Sequence, residues 1–308
     1  MIRLVVTLFL SLTALTSVAD NKVVYGEDNR LNLANVTNSL YAKLARSTAA
    51  MVELKYVETQ GTSCSLAFGK TLETALNVCP SERFSQEPVG SMCSGFLVGE
   101  DTLVTAGHCL KLLGPAGYPD PKAVCKGFAW VFNYAVDKAG RNPLTGLTSN
   151  DVYRCKSVVT AKLTDTEDFA VIKLDRKVLG RTPLKYRTSG KIADRASLVV
   201  IGHPSGLPVK VSGGARVLIN SDKNRFYANL DTFQGNSGSA VFDARTGQLE
   251  GILIQGKTDY RPNLATNPRS CQVVNTCDDS AIRCSLSTPG ETLAEVITRI
   301  TQLRSFIK

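Results

Sequence analysis

The chain has 308 residues, with 9 Cys, only 2 His and a formal net charge of +9. That length allows one large or two ordinary domains, and 43% hydrophobic against 20% charged residues excludes a disordered chain. Two histidines, His108 and His203, argue against a multi-histidine metal centre, and imidazole chemistry must use one of these two; no metal or cofactor is expected. A positive balance suits polyanions when it is clustered. Here Lys and Arg are scattered with no run of five, so the expectation is a solvated basic surface and no nucleic-acid partner.

Residues 1–19 open with Arg3, continue through the apolar stretch Leu4–Val18, and place Ser17 and Ala19 just before Asp20. This is the pattern of a secretory signal peptide, too short for a comfortable membrane span. The expected location is therefore secreted or periplasmic, with no membrane span left after removal. Export changes how the cysteines read: disulfides are expected, and the absence of any Cys-x-x-Cys pair argues against a zinc ribbon. The odd count leaves at least one thiol over within a single chain. Residues 20–45 carry few strand signals and read equally as a cleaved propeptide or as part of the first domain. They include the sequon Asn35-Val36-Thr37.

Beyond residue 45, short β-like runs recur between Gly, Pro, Asn and Asp. Strands are expected near 48–57, 93–98, 102–106, 128–133, 152–160, 168–174, 197–202, 208–219, 225–230 and 249–255. Many short strands over this length favour two β-barrels. A helix-like patch covers 70–78, and apolar residues at 293, 296, 297, 300, 303 and 306 predict a closing helix over 291–308 after the break at Thr288-Pro289-Gly290. The expected organisation is a first barrel over 46–185, a second over 186–290, and the helix.

Three segments carry chemistry: Thr105-Ala106-Gly107-His108-Cys109, Asp168 to Leu174, and Gly235-Asn236-Ser237-Gly238-Ser239. Each alone is ordinary, since a Ser between glycines is mostly a turn residue and an Asp before a strand is mostly a cap. Together they supply a hydroxyl nucleophile, an imidazole base and a carboxylate to orient it, in the chain order His, Asp, Ser.

On these residues the chain resembles the chymotrypsin-like (trypsin-fold) serine peptidases over roughly 45–306. The resemblance implies an all-β fold of two six-stranded antiparallel barrels. It also implies His108 as general base, Asp168 as its orienting carboxylate and Ser237 as nucleophile, with the N–H groups of Gly235 and Ser237 as the oxyanion hole. It further implies a disulfide between Cys93 and Cys109, which are 16 apart. Asn236 stands where animal trypsins have an Asp, and cannot form that family's activating ion pair. Gly-Asn-Ser-Gly-Ser and the segment Tyr25 to Arg30 are instead similar to the bacterial glutamyl-endopeptidase (V8-like) branch.

For specificity, Asp231 lies six residues before Ser237, where the resemblance places the base of the S1 pocket and a preference for Arg or Lys. Ile254 and Gly256 belong to the same expected pocket. Residues 251–256 contain no His of the kind glutamyl endopeptidases use. Phe233 occupies the place of the disulfide beside S1, so Asp231 also reads as a structural turn carboxylate. Ile254 replaces a Ser expected beneath the catalytic Asp. His203 reads as a loop histidine of the second barrel rather than a rival base. Cys125 with Cys155 and Cys64 with Cys79 are plausible pairs, and two of Cys271, Cys277 and Cys284 pair. The expected protein is a monomeric secreted endopeptidase acting on proteins or peptides. The alternatives are glutamyl specificity, a catalytically inactive binding protein of the same fold, or a binder of polyanions.

Overall fold

The apolar runs become two antiparallel barrels in the computed structural model, which describes residues 23–110, 120–136, 138, 142–265, 271–281 and 294–307. In the first barrel, β1 (Thr48–Glu53), β2 (Ser91–Leu97), β3 (Thr102–Thr105), β4 (Phe128–Val131), β5 (Val152–Leu163) and β6 (Asp168–Leu174) close in the order β5–β6–β3–β2–β1–β4. Register shifts along β5 let this long strand bend from its pairing with β4 to its pairing with β6. The interior is filled by rings including Phe96, Trp130, Tyr153 and Phe169, all buried. Each contributes about 1.5–3 kcal/mol by leaving water.

The second barrel is built from β7 (Ser197–Gly202), β8 (Lys210–Ile219), β9 (Arg225–Ala228), β10 (Ala240–Asp243), β11 (Leu249–Gln255) and β12 (Glu295–Arg299). It closes in the order β7–β10–β11–β12–β9–β8, with β8 returning to β7. The sequence expectations miss β10, which follows the Ser237 loop directly. They also misread β12. The expected helix over 291–308 is, in its described part, a strand followed by the 3-10 turn Ile300–Leu303. The strand is wedged between β9 and β11, and Ile297 and Thr298, on opposite faces, are both buried. A strand covered on both sides shows no alternation, so its apolar spacing imitates a helix. Residues 291–293 and Lys308 lie outside the described residues.

The N-terminal segment is woven into the second barrel. Arg30–Asn32 pairs antiparallel with β8 at Lys210, Val211 and Ser212. Val24–Tyr25 pairs in parallel with Thr276–Cys277. Helix Ser39–Ala45 is capped by Asn38, whose side chain accepts from the N–H groups of Leu40 and Tyr41. The second barrel thus draws strands from both sides of the expected 186–290 range. The patch at 70–78 contains the helix Leu72–Leu76, capped by Thr71 and Thr74.

The disulfides Cys93–Cys109 and Cys125–Cys155 form. Cys64 does not pair with Cys79. Instead Cys79 bonds Cys271, because its N–H donates to the carbonyl of Gln272 at 2.8 Å and brings two distant segments side by side. Cys64 is the free thiol among the described residues, buried with Leu66 and Val131. Cys277 is also disulfide-bonded, and Cys284 lies outside the described residues.

Candidate active site

His108 is set by the way β3 ends. After Thr105 the chain turns through Ala106 and Gly107 into the 3-10 turn His108–Leu110. Gly107 is required by close approach: a Cβ there would lie 1.9 Å from the carbonyl oxygen of Lys162. The bridge from Cys109 to Cys93 fastens the turn to β2. Asp168 opens β6, which pairs with β3, so the two side chains meet across neighbouring strands. Asp168 Oδ2 lies 2.8 Å from His108 Nδ1, and Oδ1 accepts from the His108 backbone N–H at 3.0 Å. A carboxylate on Nδ1 places the ring proton there and leaves Nε2 as the basic nitrogen. The Asp168 carbonyl accepts from the Thr298 hydroxyl of β12 at 3.1 Å, which ties this pair to the second barrel.

Ser237 sits in the loop between β9 and β10. Ser94 on β2 holds that loop twice, donating its N–H to the Ser237 carbonyl at 2.8 Å and its hydroxyl to the Gly235 carbonyl at 2.8 Å. Ser94 is next to Cys93, and Cys93 is bonded to the neighbour of His108, so one strand carries both halves of the site. Asn236 is buried, and its Oδ1 accepts from the Ser239 hydroxyl at 3.0 Å. Its side chain serves the loop itself. The N–H groups of Asn236, Gly238 and Ser239 all donate to backbone carbonyls, at 2.9, 2.8 and 2.7 Å. The Gly235 N–H donates to no protein acceptor among the described residues. Gly235 has φ +91°, and a Cβ there would meet the His203 carbonyl at 2.6 Å, so only glycine fits.

The remaining expected residues fall out differently. Asp231 is buried, and its two oxygens accept from the N–H groups of Tyr25 at 2.8 Å and Asn29 at 2.9 Å. Burial pushes its carboxyl up to about 7. It fastens the N-terminal segment beneath the Ser237 loop. The next residues reinforce that contact. Thr232 N–H donates to the Val23 carbonyl at 3.3 Å, and the Arg30 guanidinium lies 4.0 Å from the centre of the Phe233 ring. Arg30 is itself held by Asp28 at 2.7 Å. Phe233 therefore secures by packing a place where the resemblance expects a disulfide. Ile254 is buried in the hydrophobic core.

Gly256 adjoins a carboxylate that the sequence reading missed. A Cβ at Gly256 would fall 2.1 Å from Glu295 Oε2. The Thr232 hydroxyl donates to that same oxygen, and the Tyr25 hydroxyl donates to Oε1 at 3.3 Å. Glu295 is fully buried. No local signal marks it, since its strand imitates a helix. His203 is buried and stacked on Tyr134 with ring centroids 5.7 Å apart, and its Nδ1 is 3.0 Å from the Leu207 carbonyl. Burial holds its pKa down at about 3, so it stays neutral as a structural loop residue.

Residues 93–252, just over half of the chain, match the trypsin-like peptidase domain. No curated protein matches the chain. Among solved structures, a Glu endopeptidase aligns at 17% identity and TM-score 0.49, covering 92% of this chain and 96% of that one. The VesB protease of Vibrio cholerae aligns at 12% identity and TM-score 0.49, covering 91% and 66%. A protease of M. tuberculosis in its active form aligns at 13% identity and TM-score 0.45, covering 92% and 88%. The domain match runs from the first cysteine of the His108 staple, through Asp168 and Ser237, into β11, and on it the chain belongs to the trypsin-like peptidase family.

Proposed function

We propose that the protein is an exported serine endopeptidase in which His108, Asp168 and Ser237 act as the triad. The observation that carries this reading is the double hold of Asp168 on His108, ring and backbone, beside a Ser237 loop pinned to the same β2 strand. Ser237 Oγ attacks the scissile carbonyl carbon while His108 Nε2 takes the hydroxyl proton. The carbonyl π pair moves onto oxygen, facing the N–H groups of Gly235 and Ser237. As the tetrahedral adduct collapses, the C–N bond breaks and the imidazolium gives its proton to the leaving amine. A water then repeats the sequence on the acyl-enzyme and frees the acid and Ser237. Asp168 holds the tautomer and stabilises the imidazolium throughout.

Two further features support the reading. The leader-like pattern of residues 1–19 agrees with the disulfides Cys79–Cys271, Cys93–Cys109 and Cys125–Cys155, which suit an oxidising compartment. The segment from Val23 onward stays in the working enzyme, because Arg30–Asn32 extends the second barrel's sheet at β8 and Val24–Tyr25 pairs with Thr276–Cys277. A fluorophosphonate probe is expected to label the parent and not Ser237→Ala. Equal labelling of both sinks the triad, and no labelling of a folded parent favours the inactive binding protein.

For P1 we keep the preference for Arg or Lys and move its basis from Asp231 to Glu295. Asp231 is committed to two backbone amides; Glu295, which itself accepts from the Thr232 and Tyr25 hydroxyls, lies against Gly256 of the expected pocket, between it and Thr232, five residues before the nucleophile. A buried carboxylate there favours a cationic side chain. A positional P1 library should show Arg and Lys preferred in the parent, with that preference cut at least tenfold in Glu295→Gln. A parent preference for Glu refutes it.

A further inference from the structure

The Gln234–Gly235 peptide decides whether an oxyanion hole exists. In a trans peptide the C=O and N–H point in opposite directions. If this unit turned over, the Gln234 carbonyl would face the cleft and repel the developing oxyanion in place of the Gly235 N–H. The sequence around it is glycine-rich, and Gln234 is exposed, so local packing alone does not choose the orientation.

Contacts from two separate segments do choose it. The Gln234 carbonyl accepts from the Ser205 N–H at 2.5 Å, and the Gln234 N–H donates to Asp259 Oδ2 at 2.9 Å. Ser205 makes its contact from the left-handed region, φ +52° and ψ +21°, which an L residue adopts only under constraint. Its hydroxyl is paired with the Tyr260 hydroxyl at 2.8 Å, next in the chain to Asp259. The same 203–206 loop presses its backbone on Gly235, filling the space of a Cβ. With the carbonyl drawn toward Ser205, the Gly235 N–H points the other way and is left without a protein acceptor among the described residues.

We propose that Ser205 and Asp259, with Tyr260 behind Ser205, form a clamp on both sides of Gln234 that holds the Gly235 N–H in its catalytic direction. They are positioning residues, since neither touches the reacting atoms. The proposal rests on the serine-peptidase reading above.

The test uses p-nitrophenyl acetate, which has no P1 side chain and so does not depend on the specificity pocket. Pre-steady-state release of p-nitrophenolate gives the acylation rate and the apparent dissociation constant separately. In Asp259→Ala the acylation rate should fall about 10- to 100-fold, a part of the loss seen when an oxyanion-hole donor is removed outright. In Tyr260→Phe it should fall less, about 3- to 10-fold on the same scale. In both variants the dissociation constant should stay within about twofold, because ground-state binding does not use the hole. The downfield proton resonance of His108 Nδ1 should also be unchanged, which a general loosening of the site would not allow. Acylation within about twofold of the parent in both variants overturns the clamp, as does a rate loss accompanied by a shifted His108 resonance. If the parent itself is not acylated at Ser237, the serine-peptidase reading falls, and the clamp falls with it. If the parent is acylated and the variants match it, the clamp alone falls.

Discussion

Asp231 gives the N-terminal segment a pH-dependent anchor. Its carboxyl is raised from an ordinary 3.8 to about 7, first by burial, and is opposed by the two amide donors of Tyr25 and Asn29. A raised acid means that the native state binds more protons than the unfolded chain between those two values. This group's contribution to stability is therefore full at acid pH and is lost as pH rises through about 7. At 1.36 kcal/mol per pH unit the whole window amounts to about 4 kcal/mol, of which about 3 kcal/mol falls between pH 5 and 7.5. His203 works in the other direction. It is held neutral with a pKa near 3, so its contribution grows as pH rises toward 6.5, by about 2 kcal/mol above pH 5. The parent's total stability accordingly hides the Asp231 effect, and the informative quantity is the difference from Asp231→Asn. Urea unfolding of both proteins at pH 5 and pH 7.5 should show the variant gaining on the parent by about 3 kcal/mol across that interval. A difference that stays constant with pH refutes a buried, proton-binding Asp231.

The other predictions concern the site and its supports. Asp168→Asn should leave the fold intact and lower kcat by about 10⁴-fold, because the wrong imidazole tautomer is then favoured; steady-state hydrolysis at saturating substrate reads it. Gly107→Ala drives a methyl into the Lys162 carbonyl, so a destabilisation of about 1–3 kcal/mol is expected by denaturant unfolding, together with loss of fluorophosphonate labelling. The bridge Cys79–Cys271 spans a sequence separation of 192. Replacing both residues by Ser should cost about 2–5 kcal/mol, read as a lower Tm, whereas Cys64→Ser should leave every disulfide in place by mass spectrometry.

Many strands of the two barrels are legible because their apolar runs are interrupted by turn residues at short intervals. β6 and β7 match their expected limits, residue for residue. The segments of the proposed triad stand out for a related reason, since each lies at the end of a strand or in a glycine-rich turn where the chain has few alternatives. β12 is not legible. Val296, Ile297, Thr298 and Ile300 fit either a buried strand or an amphipathic helix, and only the pairing with β9 and β11 decides between them. Glu295 shares that fate. The pairing of Cys79 with Cys271 is hidden too, because sequence spacing favours the nearer Cys64 and only the backbone contact at Gln272 brings the distant cysteine within reach.

The residues that would do the chemistry were readable from order and neighbourhood alone: a base after one strand, a carboxylate before another, and a serine between glycines. Their meaning came from chemistry that recurs in few arrangements. What surrounds them was set only by the tertiary structure. The Asp six residues before the serine turned inward to hold the N-terminus, and a Glu from the last strand came to lie beside Thr232 and Gly256. Two segments far apart in the chain closed on Gln234. Such contacts depend on how the barrel wraps, and a buried carboxylate or a backbone hydrogen bond leaves no period or spacing by which a linear sequence would announce it.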